Sequence, residues 1–240
     1  MSITIFTDGS SRGNPGPGGW GAIVRTESKV TELGGREDHT TNNRMELLAA
    51  ISALDSVVSQ KISGKKILVQ SDSKYVIQGI TSWVSGWKRN GWITAGKKEV
   101  GNRDLWEALS GAVASVGAAG NAVSWKYVEG HAGHPGNERC DEIATTFADK
   151  SPTDLYAGAR DSYPIDLDAA PAAGAQAANA KKKSSSSVKA YSYLSLVDGV
   201  LQIHKTWAEC EARVKGVRGT KFKKSISAAD EAAIRKEWGV

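Results

Sequence analysis

From Ile3 through Thr4, Ile5 and Phe6 to Thr7 the chain follows the period of a half-buried strand. A dense turn signal follows in Gly13-Asn14-Pro15-Gly16-Pro17-Gly18-Gly19. Trp20 to Thr26 and Val30 to Gly35 read as two more strands, so the opening predicts an antiparallel meander. From Thr40 to Val58 the spacing lengthens to that of a helix. Met45, Leu48, Ala49 and Ser52 fall on one stripe and Leu47, Ile51, Leu54 and Val58 on another, with Thr40 or Thr41 placed to cap the start. Lys66 to Ser71 is an apolar run suited to a buried strand, and Lys74 to Trp83 returns to helix. Asp104 to Val116 predicts a helix, Ala122 to Val128 a strand, and Asn137 to Asp149 a last helix. Alternation of strand and helix after a hairpin opening predicts an α/β fold: a mixed five-stranded sheet flanked by helices, over residues 1–150.

The periodicity then fades. Asp166 to Ala180 is rich in Ala and Pro, and Lys181-Lys182-Lys183 runs into Ser184-Ser185-Ser186-Ser187. With so little apolar surface to bury, residues 151–189 read as a flexible linker. Pattern recovers over 190–240. Tyr191, Tyr193 and Leu196 open a strand, Asp198-Gly199 signals a hairpin turn, and Val200-Leu201-Gln202-Ile203 returns. Thr206 is placed to cap a helix over Trp207 to Val214, and Ser227 another over Ala228 to Trp238. This predicts a small α+β C-terminal domain, short for a core of its own.

Composition is that of a soluble globular chain, with 40% hydrophobic and 24% charged residues among 240. No apolar run approaches the roughly 20 residues of a membrane span. Met1-Ser2-Ile3-Thr4 lacks the basic start and apolar stretch of a signal peptide, so a cytoplasmic location and no membrane partner are expected. Cys140 and Cys210 fit neither a disulfide framework nor a zinc pattern and read as reduced structural thiols. The net charge of +5 is unevenly spread. Residues 1–150 hold 17 Lys/Arg against 16 Asp/Glu, whereas residues 181–240 hold 13 against six, so the basic excess lies in the C-terminal segment. A basic balance there suits an anionic partner.

Four acids fall where a metal site can be built. Asp8 ends the first strand and Asp72 ends Lys66–Ser71, and in open α/β sheets sites gather where strands end. Glu46 lies one turn into the long helix and Asp141 in the first turn of the last. Close carboxylates repel, and hard divalent cations relieve the repulsion; Mg²⁺ takes a few carboxylates together with water and substrate phosphate. Two such ions about 4 Å apart can activate a water and stabilise the leaving oxygen of a phosphodiester. Taken singly, an Asp at a strand end is more often a turn or cap residue, and Glu46 a solvated helix face.

The surrounding motifs decide between these. Thr7-Asp8-Gly9-Ser10 with the glycine-rich turn, Thr40-Thr41-Asn42-Asn43-Arg44-Met45-Glu46-Leu47, Ser71-Asp72-Ser73-Lys74-Tyr75-Val76, and Gly130-His131-Ala132-Gly133-His134-Pro135-Gly136-Asn137-Glu138-Arg139-Cys140-Asp141 resemble, in order, the four motifs of type 1 ribonuclease H. The resemblance covers about the first 150 residues. It implies the ribonuclease H-like fold and endonucleolytic hydrolysis of the RNA strand of RNA–DNA hybrids, leaving 5′-phosphate and 3′-hydroxyl ends. It implies that Asp8, Glu46, Asp72 and Asp141 ligate two Mg²⁺ ions, with Mn²⁺ as a substitute. His131 matches the family's mobile catalytic histidine, and Gly130 and Gly133 suit a moving loop; His134 reads as structural.

The same resemblance implies the nucleic-acid contacts. Asn14, Asn42 and Asn43 match positions that meet RNA 2′-hydroxyls, groups that both donate and accept. Trp83, Trp87, Lys88, Arg89, Trp92, Lys97, Lys98 and Arg103 resemble the family's basic protrusion. There Lys88, Arg89, Lys97 and Lys98 would meet DNA phosphates, while Trp87 and Trp92 also read as packed core. Thr41, Trp83, Asn102 and Trp106 match positions that line the DNA channel. Ser11, Arg12 and Lys74 stand where relatives differ. Tyr193, Thr206-Trp207-Ala208-Glu209-Cys210 and Thr220-Lys221-Phe222-Lys223-Lys224-Ser225 resemble the small viroplasmin-like hybrid-binding domain of many eukaryotic relatives. There it usually precedes the catalytic domain; here it follows, and the arginine-rich stretch after Tyr193 is missing. By that resemblance Trp207 and Phe222 would pack on deoxyribose and Lys223 and Lys224 on phosphates. A monomer is expected. The rival readings are a non-catalytic hybrid-binding protein of the same fold, a related nuclease acting on DNA alone, and an RNA-binding adaptor acting through its C-terminal module.

Overall fold

A computed structural model describes residues 2–170, 190–217 and 219–239. The chain divides into two units, Met1–Gln176 and Ala177–Val240. In the first, β1 (Ser2–Ser11), β2 (Gly16–Arg25) and β3 (Lys29–Thr40) form the expected meander, and α1 (Asn42–Ser59) follows. Next come β4 (Lys66–Ser71), α2 (Lys74–Gln78), a π-helical turn (Gly79–Trp83) and α3 (Val84–Arg89). The unit continues with α4 (Arg103–Ala118), β5 (Ala122–Tyr127), α5 (Pro135–Ala148) and the short strand β6 (Ala157–Ala159). The strands lie in the order β5-β4-β1-β2-β3-β6. β1 is antiparallel to β2 and parallel to β4, which is parallel to β5.

Strand alternation divides the core between two faces. Ile3, Ile5, Ala22, Val24, Ile67 and Val69 pack with Leu47 and Leu54 of α1 and with Trp106 and Leu109 of α4. The opposite residues Phe6, Ile23 and Val30 pack with Cys140 of α5. Thr41 stands at the N-cap of α1 in extended conformation, but its side chain makes no cap bond; its carbonyl accepts from the Arg44 and Met45 N–H groups.

Three expectations are corrected. The sheet has six strands rather than five, because β6 pairs antiparallel with β3. The linker reading therefore fails where the structure describes it: residues 151–170 lie along the sheet, with Tyr156, Tyr163 and Leu167 against the Phe6–Cys140 cluster. The stretch makes only a three-residue strand and a single turn at Arg160–Ser162, too short for a periodic signal in the sequence. The rest of that stretch, 171–189, lies outside the described residues. The helix predicted over Asn137–Asp149 starts two residues earlier: α5 begins at Pro135, which puts Asp141 in its second turn.

The second unit is a three-stranded antiparallel sheet in the order β8-β7-β9. It comprises β7 (Ser192–Val197), β8 (Val200–His204), α6 (Trp207–Val214), β9 (Lys221–Ser225) and α7 (Ala228–Trp238). Asp198 and Gly199, with φ of 50° and 77°, make the hairpin turn. Thr206 forms a capping box with Glu209, and the Ser227 hydroxyl accepts from the Asp230 N–H. Leu194, Cys210, Val214 and Ile234 supply the buried apolar residues.

Candidate active site

The parallel pairing of β1 and β4 sets Thr7 opposite Ser71, so the next residues, Asp8 and Asp72, lie side by side; β4 ends there, whereas β1 runs on beside β2 to Ser11, so Asp8 does not end its strand as expected. Asp8 is buried and its Oδ1 accepts from the Gly9 N–H at 2.7 Å. Glycine at position 9 lets α1 lie across the end of β1, for a Cβ there would run into the backbone of Met45 and Glu46. That contact delivers Glu46. One of its carboxylate oxygens accepts from Asn42 Nδ2 at 2.9 Å and the other from the Ser73 hydroxyl. Asp72 Oδ2 lies 3.5 Å from Asn137 Nδ2. A Cβ on Gly130 would strike the Asp72 carboxylate, so this glycine serves close approach rather than loop motion alone. His131, exposed and held at φ 51°, brings Nδ1 to 3.7 Å from Asp141 Oδ2.

Asp8, Gly9, Ser10, Asn42, Glu46, Asp72, His131 and Asp141 line one pocket. The five predicted catalytic residues are thus brought together. Burial raises the Asp8 pKa well above the carboxylate range, and the charges of Asp72 and Asp141 add to it. Burial also lifts Glu46 to about 7, against the lowering effect of the Ser73 hydrogen bond, and raises Asp72. Keeping these carboxylates ionised therefore calls for positive charge that the pocket's own hydrogen bonds do not supply. Among the described residues no three His, Cys, Asp or Glu side chains close on a single point. The acids line a cavity open enough for water and a phosphate to complete an ion's shell, which is how Mg²⁺ binds. An all-oxygen donor set with uncompensated charge fits hard divalent cations.

The nucleic-acid candidates fare unevenly. Asn14 and Asn43 are exposed, Thr41 and Asn42 half-buried, and Lys88, Arg89, Lys97 and Lys98 exposed. Trp106 is corrected: it is fully buried, its Nε1 donating to the Tyr75 hydroxyl at 3.1 Å, and it touches no channel. Asn102, in left-handed conformation, donates to the same hydroxyl at 3.2 Å. Trp83 and Trp87 join Tyr75 and Trp106 in an aromatic cluster with ring centroids 5.1–6.2 Å apart, and Trp92 is buried beneath Arg103. Arg12 is taken up by Asp149 through two bonds of 2.6 and 2.5 Å.

In the second unit the Trp207 ring packs at a tilt against both Tyr193 and Phe222, with centroids 5.8 and 5.6 Å apart. Trp207 and Phe222 are exposed, as the binding reading requires. Register separates the two lysines. Lys224 stands opposite Tyr193 and shares a face with Phe222, whereas Lys223 stands opposite Leu194 on the other face and pairs with Glu237 at 2.8 Å. Sequence reasoning gave no role to Ser73, Asn137 or Gly9, although all three lie within the quoted motifs.

Residues 1–149 match the family model described as RNase H. The chain belongs to the ribonuclease H family. Residues 200–232 of this ribonuclease H match a second model, Ribonuclease H1 N-terminal domain. It is 54% identical over 142 residues to "Ribonuclease H" of Bradyrhizobium sp. (strain ORS 278), spanning 59% of this chain and 86% of that one. "Ribonuclease H" of Alcanivorax borkumensis is 48% identical over 149 residues, 62% of this chain and 93% of the relative. Among solved structures, LC9-RNase H1, a type 1 RNase H with the type 2 active-site motif, superposes with a TM-score of 0.53 at 29% identity. That match covers 77% of this chain and 83% of the other.

Proposed function

We propose that this ribonuclease H hydrolyses the RNA strand of RNA–DNA hybrids at the four-carboxylate pocket, leaving 5′-phosphate and 3′-hydroxyl ends. One observation carries the reading: Asp8, Glu46, Asp72 and Asp141 line a single cavity whose burial raises three of them. These four would hold two divalent ions, Mg²⁺ or Mn²⁺. When bound, such ions offset the carboxylate charge, activate a water and stabilise the leaving oxygen.

The chain's own side chains set the stage for this. Asn42 and Ser73 hold Glu46 by one oxygen each. His131, exposed at the pocket rim beside Asp141, is placed to carry a proton on a ring nitrogen between the cleaved phosphate and solvent. Amides at Asn14 and Asn43 offer donors and acceptors suited to RNA 2′-hydroxyls. Lys88, Arg89, Lys97 and Lys98 supply positive charge for the DNA strand, and Trp207, Phe222, Tyr193 and Lys224 form the second unit's binding face. A monomeric, cytoplasmic enzyme completes the proposal.

The test is cleavage of end-labelled RNA–DNA, RNA–RNA and DNA–DNA duplexes with and without EDTA. Cutting confined to the RNA of the hybrid, and abolished by EDTA, is expected. Equal cutting of the DNA duplex, or cutting that survives EDTA, overturns the reading.

A further inference from the structure

We propose that Ser73 is a positioning residue that fixes the Glu46 carboxylate for metal binding, an inference resting on the reading of Glu46 as a metal ligand. Ser73 is buried, at 4% exposure, and its N–H, carbonyl and Oγ are all engaged within the local turn. Its N–H donates to Ser71 Oγ at 3.1 Å, its carbonyl accepts from the Ile77 N–H at 3.1 Å, and its Oγ accepts from the Val76 N–H at 3.1 Å. The hydroxyl oxygen is thereby locked in place. A hydroxyl has a single proton to give, and here it goes to Glu46.

With the Val76 N–H donating to Ser73 Oγ, the hydroxyl proton is directed to the Glu46 carboxylate, which accepts it. Asn42 Nδ2 donates to the other Glu46 oxygen at 2.9 Å. One donor per oxygen stops the carboxylate turning about its last torsion, which a single donor would leave free. The two donors come from different places: Asn42 from the helix that bears Glu46, Ser73 from the turn that bears Asp72. Ser73 thus ties the Glu46 carboxylate to the end of β4, so that Glu46 and Asp72 keep their spacing. Partners that orient a metal's ligands typically govern affinity by about tenfold to a hundredfold.

The competing role is a plain helix cap, because Ser73 is also the N-cap of α2. Glycine separates the two roles. It caps nearly as well as serine but has no hydroxyl. Mn²⁺ titration calorimetry of the full chain without nucleic acid, with melting curves for each variant, distinguishes them. Ser73→Gly and Ser73→Ala are expected to weaken Mn²⁺ binding by about tenfold or more, and Ser73→Thr to retain it. Affinity for hybrid in EDTA is expected to stay unchanged in all three.

A double-mutant cycle gives the decisive comparison. In a Glu46→Gln background, Ser73→Gly is expected to add little further loss of Mn²⁺ affinity. Losses that add in full, or a Ser73→Gly protein that binds Mn²⁺ like wild type, overturn the positioning role. Glu46→Gln alone tests the underlying reading: unchanged Mn²⁺ affinity and cleavage would remove Glu46 from the metal site whatever Ser73 does.

Discussion

Arg139 of α5 grips Glu32 of β3 through two parallel bonds of 2.8 and 2.9 Å, and the Glu32 side chain is only 1% exposed. The Tyr163 hydroxyl donates to the same carboxylate at 2.6 Å and the Tyr156 N–H at 3.0 Å. One carboxylate thus joins three stretches of chain: the sheet, the helix bearing Asp141 and the 151–170 extension. Removing one partner of such a pair strands a buried charge, which costs about 3–5 kcal/mol. Arg139→Ala is expected to lose stability on that scale and Tyr163→Phe about 1–2 kcal/mol. Urea unfolding followed by tryptophan fluorescence reads both, since six of the eight tryptophans lie in the first unit. An Arg139→Ala protein as stable as wild type would show that the pair contributes nothing.

The same carboxylate gives the first unit an acid limb. Burial is the largest influence on Glu32 and pushes its pKa up, but Arg139, the Tyr156 N–H and the Tyr163 hydroxyl together outweigh it, and the net shift is downward. A carboxylate depressed in the folded state lends stability that is complete above its unfolded pKa, about 4.3, and is lost as pH falls through the folded value. Stability is expected to drop below about pH 4.3, and Glu32→Gln to flatten that drop while lowering stability at neutral pH. Melting temperature against pH for the two proteins measures it; parallel curves would exclude Glu32 as the source.

Truncation separates the extension from a tether. Ending the chain after Lys150 removes Tyr156, Tyr163 and Leu167 from the Phe6–Cys140 cluster and leaves Glu32 with Arg139 alone. Ending it after Ala170 keeps all of them. The shorter protein is expected to melt several degrees lower than the longer one. Equal melting temperatures would return residues 151–170 to the role of linker.

At the four-carboxylate pocket, Asp8→Asn is expected to cut hydrolysis by orders of magnitude while hybrid binding survives. His131→Ala is expected to slow turnover less, since His131 lines the pocket rim and lies 3.7 Å from Asp141. Single-turnover rates beside binding measured in EDTA distinguish the effects. Near-normal turnover by Asp8→Asn contradicts its assignment.

For the second unit, deleting residues 180–240 is expected to keep cleavage and weaken hybrid affinity and processivity. Within it, Trp207→Ala and Lys224→Ala are expected to weaken hybrid binding more than Lys223→Ala, because Lys223 faces Glu237. Fluorescence anisotropy at several salt concentrations ranks the three. A Lys223 effect as large as that of Lys224 would place both lysines on nucleic acid.

Much of this was legible before any fold was seen, for identifiable reasons. The apolar runs that lead into Asp8 and Asp72 are unmistakable, and Glu46 and Asp141 sit in motifs of fixed spacing, so the pocket followed from strand pattern and motif order, although β1 continues past Asp8 to Ser11. The extension escaped because it is held by one buried carboxylate and scattered tyrosines, and such tertiary bonds leave no period in the sequence. Trp106 was misassigned because an indole in a basic stretch looks the same in sequence whether it faces solvent or the Tyr75 hydroxyl. Lys223 and Lys224 are adjacent letters, and only the register with β7 reveals that they part company.

The aromatic cluster of Tyr75, Trp83, Trp87 and Trp106 has a consequence for how this enzyme can change. The rings set the shape of the stretch from within, while Lys88, Arg89, Lys97 and Lys98 sit on its exterior. Shape and charge are therefore carried by separate residues. Exchange of those four cations for neutral side chains leaves the scaffold standing, so grip on a polyanion can drift toward weaker or stronger attachment, or adapt to a saltier surrounding, with the architecture held constant.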